Sequence, residues 1–375
     1  MQIPELKIEH FFAQFEFETP YVMCASDSES LTLSELLALA DPECRALWDN
    51  LTLSYTQTWG HPLLREAIAA QYAGADPEDV LVFSGAQDAI FCLMNATLKP
   101  GDHVVVATPC WQPLYEVPRA LGADVDMVRM NAAGGFSFFA DRIANVVREH
   151  TKIIAVNAPN NPTGSLPSRD EFAMLAGLAE AAGATLVSDE IYRLLEHDPS
   201  LRLPSATEIS RPAISIGVVS KVYGLPGARL GWLISKDHDL LRRAASIKHY
   251  TTICAAAPSE LLALIALRNA ETILDRARAI TRSNLELLDK FFAQNSGHVE
   301  WIRPGGGTVA FPRFDLRRPT RDFVDDVRRN AGVLLLPGDV FEEADGYVRI
   351  GYGRRNMPAA LERLEEFLAA ANWRG

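Results

Sequence analysis

Ser220-Lys221-Val222-Tyr223-Gly224-Leu225-Pro226-Gly227-Ala228-Arg229-Leu230-Gly231 sets a lysine ahead of an arginine in a turn punctuated by Gly and Pro. An apolar run precedes it. A lysine amine near apolar surroundings has its pKa lowered and can form an imine. A fork-shaped guanidinium bracketed by glycines suits a phosphate. The ordinary alternative is a solvated Lys/Arg loop, and the string by itself favours that alternative.

Three further strings carry comparable double meanings. Asn160-Asn161-Pro162-Thr163-Gly164 follows an apolar run and, by composition, is a turn. Ser188-Asp189-Glu190-Ile191-Tyr192 also follows an apolar run. An acid there can cap a helix, or it can pair with a protonated ring nitrogen. Ser84-Gly85-Ala86-Gln87-Asp88 lies between a strand-like and a helix-like stretch. Backbone N–H groups at a helix start bind phosphate, although many such loops look alike.

The elements that must position these residues alternate. Strands are predicted at 80–83, 103–107, 125–128, 152–157, 184–188 and 213–217, with helices at 86–97, 114–121, 140–149 and 169–182. Such alternation predicts an α/β fold, with a mostly parallel sheet covered by helices on both faces. Ligands of such sheets bind beyond the carboxyl ends of the strands, where the four strings fall. A long helix is predicted from 269 to about 293. A strand-like stretch ending near 314, a helix at 321–330 and a strand at 332–336 then suggest a smaller α+β domain.

The 375 residues allow two domains or one large one. No run of eighteen apolar residues predicts a membrane span, and the first twenty residues do not read as a secretory signal. Five scattered cysteines, without a CxxC pair, read as reduced thiols of a cytoplasmic protein. A net charge of −12 disfavours nucleic acid. The eight histidines lack zinc-ligand spacing, so no metal is expected.

In order along the chain come a phosphate-type helix start, Trp111, Asn161, Asp189 with Tyr192, Lys221 and Arg229. This order resembles the fold-type I pyridoxal-phosphate (PLP) enzymes, specifically the class I/II aminotransferases related to aspartate aminotransferase. The resemblance implies a three-layer α/β/α large domain at 46–285. It implies a small domain formed by 286–375 with the N-terminal segment 1–45. It implies that Lys221 forms a Schiff base with PLP and moves the proton at the substrate's Cα. Asp189 would hold the pyridine nitrogen protonated, Asn161 and Tyr192 would hydrogen-bond the phenolic oxygen, and Trp111 would stack on the ring. Gly85, Ala86, Gln87, Ser220 and Arg229 would bind the phosphate. Tyr55 would reach the phosphate of a neighbouring subunit, which implies a homodimer. Arg349, within Val348-Arg349-Ile350-Gly351, would clamp the substrate's α-carboxylate, with Asn161 beside it. The flanking pattern favours that role over a surface strand residue.

Two positions depart from the family pattern. Val218 stands where the family usually has Ser or Gly, three residues before the lysine, so a phosphate hydrogen bond is expected to be missing. Ala25-Ser26-Asp27-Ser28-Glu29-Ser30 replaces a glycine-rich segment that lines the substrate pocket in many relatives. It is either a solvated loop feeding a helix cap, or it brings Asp27 or Glu29 to a cationic substrate. The expected activity is ping-pong transamination between an amino acid and a 2-oxo acid. The alternative is a PLP lyase or cyclase, because the lysine string and the segments KHYTTICAAAPSE and PGGGTVAFPRF also resemble capreomycidine synthase. A third reading, a ligand-sensing regulator domain, wants a basic winged helix ahead of it and is disfavoured by the acidic chain.

Overall fold

The computed structural model describes residues 2–138, 140–370 and 373. Seven strands form the main sheet: β1 (Val80–Phe83), β2 (His103–Thr108), β3 (Asp124–Arg129), β4 (Thr151–Asn157), β5 (Thr185–Asp189), β6 (Ile214–Val218) and β7 (Gly231–Ile234). Their order is β1-β7-β6-β5-β4-β2-β3. The strands from β3 across to β6 pair in parallel, while β7 runs antiparallel to both β6 and β1. The fold is α/β, as the alternation predicts.

Central strands are near-continuous Val, Ile, Leu and Ala because both faces are covered. In β1, β2, β6 and β7 every residue is buried. Strand β3 lies at the edge and is only partly covered, and Arg148 bridges its Asp124 and Asp126 carboxylates. Six strands fall where the hydrophobic runs predict them. The seventh, Gly-Trp-Leu-Ile, is four residues long and opens on a glycine, so it carries no period of its own. It exists because Trp232 lies flat against Gly217 of β6, where a Cβ would come within 2.2 Å of the indole.

Helices Ala86–Thr97 and Arg169–Ala182 start and stop where their patterns predict. The second is delimited chemically. Ser168 and Glu171 form a capping box, and Gly183 ends the helix at φ +64°. The helix predicted at 140–149 ends at Ala144, five residues early. Past it, the Arg148 amide bonds the Thr151 hydroxyl as the chain turns into β4.

The long helix runs from Ala270 to Gln294, so a boundary at 285 falls inside it. Beyond it come β8 (Val299–Glu300), β9 (Val309–Ala310), β10 (Arg313–Phe314), β11 (Leu336–Pro337) and β12 (Val348–Gly351). The strand predicted at 332–336 is shorter than that pattern. Its start instead pairs with the N-terminal segment, Val333 with Tyr21. That segment continues along β12, where Gly351 donates to the Met23 carbonyl at 2.7 Å. Segment 21–29 therefore runs from β12 to the turn after β6, where the Ser28 amide donates to the Lys221 carbonyl.

Candidate active site

The first wall of the site is built from backbone. Gly85 leaves β1 at φ +95° and caps the helix Ala86–Thr97 without a side chain. The free N–H groups of that first turn point out of the helix. Arg229 reaches over Gly85 from its own left-handed turn at φ +49°, so a Cβ on Gly85 would lie 2.7 Å from Nη2. A Cβ on Gly231 would lie 2.7 Å from the Ala86 nitrogen. Two glycines thus open a cradle in which a guanidinium faces unpaired amides. Arg229 Nη1 also lies 3.5 Å from the Ser220 hydroxyl. Gln87 holds Trp111, whose indole N–H donates to Oε1 at 2.9 Å.

Val218 ends β6 against Ile191, Tyr192, Val309 and Ala86. The position that departs from the family pattern is a buried apolar patch beside the cradle, and it offers no hydrogen bond there.

The floor comes from β5. Asp189 is 1% exposed, and its carboxylate receives one hydrogen bond, 3.3 Å from the Ile191 amide. Burial pushes its carboxyl up to about 7, with Lys221 opposing the shift. Asn157 of β4 connects this floor to the next wall. Its Nδ2 donates to the Asp189 carbonyl at 2.9 Å, and its Oδ1 receives the Asn161 amide at 2.6 Å.

The far wall is Arg349 of β12, 1% exposed. Nη1 donates to Asn161 Oδ1 and Nη2 to the Cys24 carbonyl, both at 2.9 Å. Nε finds no partner among the described residues. Burial lowers the guanidinium's pKa, and the rings of Phe12 and Phe341 lie 5.9 and 5.7 Å away.

Lys221 follows β6 between these walls. Burial lowers its pKa, opposed by Asp27 and aided by Arg349. Its Nζ donates to Ser26 Oγ at 2.7 Å. Tyr192 is fully buried and directs its hydroxyl to the Ser26 carbonyl at 2.8 Å.

The fold therefore joins Gly85, Ala86, Gln87, Trp111, Asn161, Asp189, Tyr192, Ser220, Lys221, Arg229 and Arg349 around one site. Tyr55 lies apart, 85% exposed. Segment 25–30 corrects one expectation. Asp27 is not in a solvated loop. It is 6% exposed and paired with Arg354 at 2.9 Å. Glu29 accepts the Arg355 amide at 2.9 Å. Ser26, Cys24 and Thr308 belong to the site without having been predicted. Single Ser, Cys and Thr residues have no spacing signature, and the one available hint was the polar segment replacing glycines.

A family model for "Aminotransferase class I and II" matches residues 25–364. Capreomycidine synthase of Streptomyces vinaceus is 30% identical over 372 residues, 98% of this chain and 94% of that protein. Aspartate/prephenate aminotransferase of Thermus thermophilus is 29% identical over 337 residues, 87% of this chain and 86% of that protein. Among solved structures, a PLP-dependent aminotransferase from Streptococcus suis superposes with a TM-score of 0.93 at 32% identity, covering 100% of both chains. The PLP-dependent cyclase OrfR superposes with a TM-score of 0.90 at 29% identity, covering 99% of this chain and 98% of that one. The chain belongs to the class I and II aminotransferase family.

Proposed function

We propose that the protein is a PLP-dependent aminotransferase that moves an amino group from an amino acid to a 2-oxo acid, with Lys221 holding the cofactor. The observation that carries this reading is the buried Arg349 edge. A buried guanidinium with an unpartnered Nε is costly, and its planar fork matches a carboxylate. An α-carboxylate docked there, beside Asn161, would bring the substrate's Cα toward Lys221.

The residues present fit the cofactor. The cradle of Gly85, Ala86, Gln87, Ser220 and Arg229 suits its phosphate. The buried Asp189 carboxylate, with one hydrogen bond from the Ile191 amide, suits a protonated ring nitrogen. Trp111 would cover the ring face, and Asn161 and Tyr192 would donate to its phenolic oxygen. When bound, PLP supplies an electron sink for the pair left at Cα. Lys221 would take the Cα proton and return it, and its burial-lowered pKa favours that exchange.

Tyr55, Tyr250 at 91% exposure and Ile253 are exposed large hydrophobic residues on two loops. The Thr56 hydroxyl ties their two loops together at the Ala255 carbonyl, 2.7 Å away. This supports a homodimer in which Tyr55 completes a partner's site. The unpaired cysteines, four of them buried, fit a reducing compartment such as the cytoplasm. Among the described residues, no helix is long and apolar enough to cross a membrane.

The second reading, a PLP lyase or cyclase, draws on capreomycidine synthase and OrfR. One experiment separates the two. The purified protein should show a visible absorbance band that Lys221→Ala abolishes. An amino acid added without an oxo acid should bleach that band, giving one equivalent of pyridoxamine phosphate. Multiple turnovers without an acceptor would overturn transamination in favour of the second reading. A colourless, PLP-indifferent protein would overturn both.

A further inference from the structure

We propose that Ser26 is a positioning residue whose hydroxyl holds the free amine of Lys221 within the site. The inference rests on the proposed role of Lys221. In that role the lysine nitrogen alternates between bonded and free, and each free interval needs a fixed place for it near the substrate's Cα.

The geometry gives it one. Lys221 Nζ donates to Ser26 Oγ at 2.7 Å. A hydrogen bond from an ammonium is charge-assisted and stronger than one between neutral groups. Ser26 is itself held from several sides. Its carbonyl accepts the Thr308 and Tyr192 hydroxyls, each at 2.8 Å. Thr308 keeps that carbonyl engaged when the Tyr192 proton is directed elsewhere. Two residues on, the Ser28 amide donates to the Lys221 carbonyl at 3.1 Å. A Cβ on Gly224 would lie 2.6 Å from the Glu29 carbonyl oxygen, so segment 26–29 lies directly on the turn that follows the lysine. The adjacent Asp27 is fixed by Arg354. Ser26 is therefore a rigid acceptor rather than a mobile loop hydroxyl.

The same segment is bonded to β12 through Met23 and Gly351, and β12 carries Arg349. Cys24, two residues before Ser26, accepts from Arg349 Nη2. One short stretch thus touches both the carboxylate clamp and the amine. Ser26 couples the place of the amine to the seating of the strand that reads the substrate.

Charged groups acting on Lys221 are Asp27 and Glu9, which favour its ammonium, and Arg349 and Arg229, which oppose it. Asp189 and Glu16 also feel its charge. Replacing Ser26 leaves all six in place, so a change in Lys221 isolates the hydroxyl.

The test uses the full-length, cofactor-stripped protein, trace-labelled with acetic anhydride across a pH series. Mass spectrometry reads acetylation of the Lys221 peptide. Exposed Lys7 serves as the internal standard. Buried Lys248, bonded to the Val82 carbonyl, stays unlabelled while the fold is intact. Ser26→Ala is expected to lower the Lys221 labelling midpoint by about one pH unit, a tenfold bias. Ser26→Thr is expected to restore it. Ser26→Gly also removes the hydroxyl and decides the matter if Lys248 shows that the alanine variant has lost its fold. An unmoved midpoint in the hydroxyl-free variants, or an equal shift in Ser26→Thr, overturns the inference. A wild-type protein with no PLP band overturns the function instead, so the two failures remain separate.

Discussion

The proposed phosphate cradle and the proposed carboxylate clamp are built on opposite principles. The cradle is mostly backbone, brought together from the turn at Gly85 and the turn at Arg229–Gly231. It uses a strand end, a helix start and two glycines, with Arg229 as its main side chain. Its attraction for an anion comes from unpaired N–H groups at a helix N-terminus. The clamp is assembled from side chains and backbone of segments 188 and 325 residues from Arg349 in sequence. Arg349 comes from β12, Asn161 follows β4 and Cys24 lies near the N-terminus, and none of them would bind a carboxylate in isolation. Backbone sites tolerate side-chain change but not added bulk. Side-chain sites tolerate bulk around them but not a change in the fork that binds.

That contrast can be broken first at the clamp. Arg349→Lys keeps the charge but loses the planar fork and the bonds to Asn161 and Cys24. It should cut kcat/KM by about 100-fold or more while leaving the cofactor's visible band in place. A loss below about threefold, or loss of the band, would mean that Arg349 does not read the substrate.

At the cradle, Gly85→Ala places a Cβ against Arg229 in a backbone conformation that disfavours L residues. PLP affinity should fall by about tenfold, while pyridoxal, which lacks the phosphate, should bind as it does to the wild type. Spectral titration of both ligands measures this. Equal losses would show a general collapse rather than a damaged phosphate site.

Asp189 lies between the two ends and reports through pH. Its carboxyl is pushed up to about 7 by burial, against about 4 for an ordinary aspartate in the unfolded chain. Between those values the folded protein keeps a proton that the unfolded chain releases. Stability of the cofactor-free protein therefore falls as pH rises through that window, and it stays low above it. Asp189→Asn removes this penalty. At pH 8 the cofactor-free variant should melt at least about 3 °C above the wild type, with the gain vanishing near pH 4. With cofactor added, the order should reverse. A melting difference that ignores pH would show that the carboxylate is not the source of the effect.

Much of the large sheet was legible because its strands are buried on both faces and read as unbroken apolar runs. Strand β7 was not, because Gly231 and Trp232 say nothing until β6 lies beside them. The placing of Asn161, Asp189 and Lys221 at strand ends was legible because each follows or closes an apolar run, where ligands of such sheets gather, whereas Arg229 lies in the turn before β7. The burial of Asp27 was not legible because its partner, Arg354, stands 327 residues away. Ser26 was flagged only as part of the polar segment 25–30, because a lone serine has no period and no motif to single it out.

The sequence by itself determined the alternating fold, the glycine-led helix start at Gly85 and the order of polar residues near successive strand ends. Those properties are local, being set by hydrophobic period, turn residues and spacing. Tertiary structure alone decided that segment 21–29 would run from β12 to the turn after β6. There it binds the Lys221 amine, the Arg349 guanidinium and the Tyr192 hydroxyl. Each of those contacts joins residues more than 160 positions apart, and only packing of distant segments can bring such groups within hydrogen-bonding distance.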